Sequence, residues 1–438
     1  MLMAQATLRT FTSATSVSIP RSYAPALVAF LFAVAVYSPR LGQDSLANHL
    51  RLDDLVFPLY GFAAFAWRRE LGEAWKLITY FLLYQIWIAV VALVVHSSGY
   101  LASDIAIGEK LLPVAKGLEF AVFFAFAFAV SRKMSHTDWR ATVKWSAIVF
   151  LPNLMFVAYQ LYSGEFQGYY GVGIFNEMSP TLTGAVLLFA AVWARANVSL
   201  AETSGGRVAW TFVYSVGVIF TVLTGSRAAA ISMLVYVALY EALSGSKKKL
   251  IVLATVLGVA LALLVVLVQD QSDLELGLLR IVSVLDVADE LQQAGSRGEN
   301  WAAMSEFFGR AVADAPAAGF TGLGAGATYA AFGQVMNAAD SQYVLTVVSG
   351  GLLGSMLLLC FTLEAFRLAR GSDPRYMIPS TLVMALLAAM ATFSVTQEIL
   401  VLSKTGTLFF VTLGLALGQI KTQRTNAAPR PNLSLSRG

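Results

Sequence analysis

Long apolar runs, separated by short polar and basic stretches, set the rhythm of this chain. Apolar windows near 23–38, 54–67, 76–96, 111–130, 139–162, 180–196, 208–223, 228–243, 250–268, 342–366, 376–398 and 404–420 predict about twelve membrane-spanning helices. Pro58 and Gly61 interrupt the second window. From Val208 to Tyr240 the only charged residue is Arg227. As one helix that run would be about 50 Å long against a hydrocarbon core of about 30 Å. A turn near Thr224-Gly225-Ser226 is therefore expected, leaving Arg227 at a membrane surface. The run 24-APALVAFLFAVAVYS-38 after Arg21 reads either as a signal peptide or as a first, uncleaved span, the commoner case in a polytopic chain.

One connection breaks the rhythm. Residues 269–341 are too long to be a simple linker. Within them, 276-LGLLRIVSVLDVADELQ-292 alternates apolar and polar faces at helical period. In 299-ENWAAMSEFFGRAVAD-314, Trp301, Met304, Phe308 and Ala311 share one stripe, and Glu299, Glu306 and Arg310 fall elsewhere on the turn. Two amphipathic helices that lie on the bilayer or cap the bundle are expected. Pro316 closes the second, and the glycine-rich 319-GFTGLGAGA-327 follows. The expected organisation is an all-α polytopic bundle. A tail (1–22) leads into nine spans (23–268), the long loop (269–341), three spans (342–420) and a second tail (421–438).

Composition changes little in this picture. The chain of 438 residues is 57% hydrophobic and 13% charged, with a mean hydropathy of +0.68, which excludes a soluble domain. Charge distribution supplies the orientation. With connections numbered from the N-terminus, the two tails and the even loops hold 21 of the 30 basic residues, 247-KKK-249, Arg367, Arg370 and Arg375 among them. Basic residues favour the cytoplasm, so both termini are expected inside, with the long loop and Arg227 outside. The net charge of +4 thus reflects topology and anionic inner-leaflet lipid rather than nucleic acid. Cys360 is the only cysteine, so no intramolecular disulfide forms. His49, His96 and His136 lie too far apart for metal-ligand spacing; neither metal nor cofactor is expected.

Several residues are candidates for chemistry. Arginines at an outer membrane surface suit phosphate, because guanidinium stays charged and binds oxyanions bidentately. Arg227 fits that description or, alternatively, snorkels to headgroups at a span end. Arg297 opens the second amphipathic helix, where free N–H groups and the helix dipole favour an anion, or it pairs with Glu299 or a neighbouring acid. Arg51, Arg280, Arg310 and Lys404 are also placed outside. Asp340 stands at the mouth of the tenth span in 340-DSQYVLTVVSGGLLG-354, as a functional carboxylate or as a helix cap, with Tyr343 beside it. Gly350, Gly351 and Gly354 read as close-packing residues. Lys116 and Glu119 are charged within a span, which marks either a functional site or a paired lysine. Tyr169 and Tyr170 suit sugar stacking or the interfacial aromatic belt, the belt being the simpler reading. The string 322-GLGAG-326 is no nucleotide loop, since no strand precedes it.

Three segments together resemble the O-antigen ligase and Wzy-type polysaccharide polymerase superfamily. They are 224-TGSRAAA-230, 297-RGENWAAMSEFFGRAVADAPAAGFTGLGAG-326 and 340-DSQYVLTVVSGGLLG-354; the stretch 172-VGIFNEMSPTLTG-184 is similar to the one before that family's middle span. The number of spans, the inside termini and the late outer loop agree with it. The resemblance implies a bacterial inner-membrane enzyme that moves a glycan from undecaprenyl diphosphate to an acceptor at the periplasmic face. Carried over, Arg227 and Arg297 bind the donor diphosphate, with Lys116, Arg310 and Tyr343 as further substrate contacts. Asp340 takes the proton of the acceptor hydroxyl. The ligases carry histidine where this chain has Asp340, so the resemblance leans towards polymerases that join exopolysaccharide or O-antigen repeat units. Ligation to lipid A-core is the alternative, and a lipid-linked oligosaccharide flippase is a second one. Membrane lipids and a chain-length regulator or other assembly proteins are the partners implied.

Overall fold

The computed structural model describes residues 23–38, 51–100, 106–163, 180–244, 295–327, 341–370, 377–400 and 402–427. They form an all-α bundle. Its principal helices are α1 (Ala24–Tyr37), α2 (Leu52–Ala66), α3 (Ala74–Ser97), α4 (Leu112–Lys133), α5 (His136–Ser163), α6 (Pro180–Leu200), α7 (Ser204–Leu223), α8 (Arg227–Leu243), α9 (Gly295–Asp314), α10 (Gln342–Ala369), α11 (Met377–Thr396) and α12 (Ser403–Ala427). Eleven of the twelve expected windows fall on these helices; the window 250–268 lies outside the described residues. Seven helices (α3, α4, α5, α6, α7, α10 and α11) are long and apolar enough to cross a membrane, so the coarser statement holds of a multi-pass bundle with seven such spans among the described residues. For three of the four remaining expected spans the difference is length; α12, with 25 residues, is long enough but less apolar. At 14, 15 and 17 residues, α1, α2 and α8 rise about 21–26 Å, short of a hydrocarbon core of about 30 Å.

The bundle is apolar inside and out, as a lipid environment requires. On α10, Leu352, Met356, Leu359 and Leu363 follow one helical stripe and are all exposed. At the centre, α4 buries Phe120, Phe123, Phe124, Phe126 and Phe128, and α12 lies along it. The spacing Gly414–Gly418 permits that approach, since a Cβ at 414 would come 2.6 Å from the Phe124 carbonyl oxygen and one at 418 would come 2.5 Å from that of Phe128.

Polar ties identify two ends. At one end Lys421 and Arg367 pair with Glu73, Lys133 pairs with Glu70, and Arg140 binds Glu202 and holds that carboxyl below its ordinary range. There Arg195, near the end of α6, also meets Glu241, near the end of α8, at 2.5 and 3.0 Å, with its guanidinium over the Tyr240 ring. Arg367 is one of the even-loop residues and Lys421 opens the second tail, as assigned above from charge. The opposite end gathers the start of α2, the first half of α4, the start of α8 and the start of α10. The expected turn is there. Helix α7 stops at Leu223, and Ser226 caps α8, its hydroxyl accepting from Ala229 N.

Candidate functional site

The long loop reaches its site through α9. The apolar stripe expected from sequence is the buried face: Met304 is 0% and Ala311 3% exposed, and Trp301 and Phe308 are half-buried. Ala311 packs with Ala318, Leu323 and Val348, so α9 rests on α10 as a cap. Tyr100, just beyond α3, donates to Asp314 at the other end of α9. The first expected amphipathic helix, 276–292, lies outside the described residues.

After a single helical turn at Ala317–Thr321, residues 322–327 form a strap inserted between α3 and α10. Its backbone replaces helix partners. Leu323 N donates to Val348 O, Gly324 N to Ser349 O and Ala325 N to Ile88 O, all at 2.8–2.9 Å. Such seating demands glycine. Gly324 has φ +86, and a Cβ there would overlap the backbone of Ala92. Across from the strap, Gly351 (φ 60, ψ −156) breaks α10, in a conformation nearly confined to glycine. The freed carbonyls are used: Trp87 Nε1 donates to both Thr321 O (3.1 Å) and Gly350 O (3.2 Å). Irregular backbone at membrane depth is tolerated where protein buries it or where it lines a cavity.

A cavity is what the strap and the broken helix enclose. A small recess is lined by Tyr84, Gln85 and Ile88 of α3 and by Pro113 of α4. Ala325 and Gly326 of the strap, Gln342, Leu345 and Ser349 of α10, and Glu398 and Leu400 complete it. Its polar groups are buried: Gln85 is 1%, Ser349 2%, and Gln342 and Glu398 6% exposed. Gln342 fixes one wall, accepting from Leu400 N at 2.9 Å and donating to Thr346 at 3.3 Å. Its own backbone N–H donates to Gln397 O, and Ser341 reaches the Ser394 carbonyl oxygen.

A buried charge cluster adjoins this recess. Lys116 binds Asp54 and lies 3.0 Å from Glu119 Oε2. Asp54 also accepts from the Arg51 backbone N–H at 2.7 Å, while Arg51 donates to Ser38 O and faces Asp53 at 3.6 Å. Gly117 joins the two regions, for its Cα side lies against the Gln85 carboxamide, where any Cβ would collide.

The sequence-derived candidates divide as follows. Lys116 belongs to the cluster beside the recess, and Tyr343 sits one residue beyond Gln342, half exposed, donating to Ala391 O at 2.9 Å. Arg227 is the first residue of α8, at the same end of the bundle, half-buried and engaged. Arg297 is placed by backbone alone, in the first turn of α9. Arg310 is exposed and pairs with Glu306 at 3.5 Å, away from the recess. Asp340 lies outside the described residues, next in the chain to Ser341. Sequence reading missed Gln85, Gln342, Ser349 and Glu398. A lone amide inside the run 76–96 and a carboxylate ending the run 376–398 were the available signals. Among the described residues, no group of three or more His, Cys, Asp or Glu is arranged to hold a metal ion.

These features define a multi-pass helical membrane protein with a buried polar recess at one end of its bundle. In comparison with known proteins, no family model matches the chain and no curated protein matches it.

Proposed function

We propose that this protein is an inverting glycosyltransferase of the bacterial inner membrane. It joins exopolysaccharide or O-antigen repeat units carried on undecaprenyl diphosphate, at the periplasmic face. One observation carries the reading. At the end of the bundle away from the basic ties, the late loop and the start of α10 line a polar recess beside the Lys116 cluster, and Arg227 heads α8 at that end. Three segments that resemble polymerases, far apart in sequence, contribute to that end. The basic end then faces the cytoplasm.

The proposed reaction follows. Arg227 and Arg297 hold the donor diphosphate and stabilise the charge that grows on it as the bond from the anomeric carbon to the phosphate oxygen breaks. The acceptor hydroxyl oxygen attacks that carbon from the opposite face and inverts it. The hydroxyl proton passes to the Asp340 carboxylate, and undecaprenyl diphosphate leaves with the electron pair. Carboxylates are adequate bases for sugar hydroxyls, as glycosidases illustrate. Asp340, standing where the similar ligases carry histidine, favours polymerisation over ligation.

The test is incubation of purified protein in lipid nanodiscs with undecaprenyl-diphosphate oligosaccharide, reading product length and the carrier at the reducing end. A ladder of lengthened, still lipid-linked chains is expected, reduced about a hundredfold or more by Arg227→Ala. Transfer only to lipid A-core would make the protein a ligase. Movement of the lipid between leaflets without extension would replace the reading with transport.

A further inference from the structure

The Lys116 cluster holds more negative charge than its cations balance. Lys116 Nζ binds Asp54 and lies 3.0 Å from Glu119 Oε2, so one ammonium serves two carboxylates. Arg51 does not make up the difference, because it faces Asp53 at 3.6 Å. Two cations thus stand among three carboxylates where the start of α2 meets the first half of α4. An excess charge is costly in such surroundings, and carboxyl groups that share one site relieve it by holding a proton.

The surroundings locate that proton. Asp54 is served twice, by Lys116 and by the Arg51 backbone N–H at 2.7 Å, and Asp53 has Arg51. Glu119 has only its share of Lys116, and its other oxygen, Oε1, is buried with no donor among the described residues. Most of the buried polar atoms without a partner belong to neutral groups; this one belongs to a carboxylate, where a missing partner costs more. The charges that act on Glu119 are those of Lys116 on its own helix and of Asp53 and Asp54 on α2. Helix α12 brings Lys404, buried and engaged, two residues before the Gly406 that packs on the Phe120 ring, but its charge is not among them. Lys110, in the turn before α4, points to His96 instead, and α3 presents the neutral Gln85 carboxamide beside Gly117, with Tyr84 one residue before it.

We propose that Glu119 is a proton-binding site, on which the cluster reversibly takes up one proton. The proton enters past Asp54, the most exposed of the three linked side chains. Uptake cancels the excess charge inside the joint of α2 with α4, so acidity at that end of the bundle acts on how firmly α2 is held. The site stands whether or not the protein transfers a glycan.

The test treats the whole protein in lipid nanodiscs with an apolar carbodiimide, which adds to protonated carboxyl groups in apolar surroundings. Peptide mass spectrometry is expected to find the adduct on Glu119, in a yield that falls about tenfold for each pH unit above the titration of the site. Infrared spectra report the same group independently. The acid-minus-alkaline difference is expected to contain the C=O stretch of a neutral carboxylic acid that is missing from Glu119→Gln. Stability supplies a signed readout. Deprotonation restores the buried excess charge, so the melting temperature of the unaltered protein is expected to fall relative to that of Glu119→Gln as the pH rises. No adduct on Glu119, adducts on Asp53 or Asp54 in its place, the same infrared band in the variant, or a melting gap of the opposite sign would overturn the proposal. The carbodiimide arm needs no variant, so it decides even where Glu119→Gln fails to insert. None of these readouts involves glycan extension, so a failure of the transfer reading leaves them unchanged.

Discussion

A lysine at bilayer depth survives as a cation only when carboxylates hold it, and Lys116 has two. Its amine binds Asp54 and reaches Glu119, with all three side chains at most 17% exposed. Removing the cation leaves two carboxylates in low dielectric without compensation, and breaking such a pair costs about 3–5 kcal/mol. Lys116→Met is therefore expected to lower the melting temperature in detergent sharply, and adding Glu119→Gln to recover part of the loss; an unchanged melting temperature for the single variant would remove the cluster's structural role. The lysine and Glu119 were legible in sequence because charge inside an apolar run is conspicuous. Asp54 was not, since its pairing spans 62 residues and local spacing carries no trace of such a contact. Gln85 was hidden for a similar reason: a single amide in a span reads as noise until the recess in front of it is seen.

At the scale of elements, periodicity was the dependable guide. It predicted the stripe that seats α9, while the length of the apolar run predicted the turn before Arg227. It could not predict the strap. Read alone, 322-GLGAG-326 is a loop of small residues, and its purpose lies in the two helices it enters. The strap and the break at Gly351 fit each other, because a Cβ at 351 would come 2.5 Å from Phe320 O and one at 322 would come 2.5 Å from Gly351 N. Gly351→Ala thus meets both a forbidden conformation and a steric overlap. A loss of several kcal/mol is expected, since the conformation alone costs on the order of 1–3 kcal/mol. Faster proteolysis after Thr321 would report the release of the strap. Gly309→Ala is the contrasting case. It lies within α9 with nothing inside 4 Å of a new Cβ, so a gain of about 0.5–1 kcal/mol is expected from helix propensity. Equal effects of the two substitutions on the melting temperature would show that the strap is not seated as described.

For the whole molecule the argument is electrostatic. Short-range ties gather Arg367, Lys421, Lys133 and Arg140 at one end with Glu70, Glu73 and Glu202, while α9 with Arg310 caps the other. Loop charge in the sequence points to the same grouping of basic residues that these ties gather at one end. Of the twelve expected spans, seven are long and apolar enough among the described residues to cross a membrane. Hydropathy windows register apolar stretches but not where a helix stops, and α1 and α8 stop after 14 and 17 residues. The division makes a direct prediction about sidedness. After Cys360→Ala removes the only native thiol, Arg310→Cys introduces one on an exposed helix of the cap and Arg367→Cys introduces one in the basic belt, where the native side chain is 56% exposed. A membrane-impermeant maleimide added to intact spheroplasts is expected to label the first variant and to reach the second only after the membrane is opened. Labelling of the second but not the first would invert the molecule and place the recess on the cytoplasmic side, where the proposed periplasmic transfer has no access to its acceptor. Labelling of both in sealed cells would mean that the ion-paired belt does not mark a membrane boundary, and the orientation drawn from basic residues would fail with it.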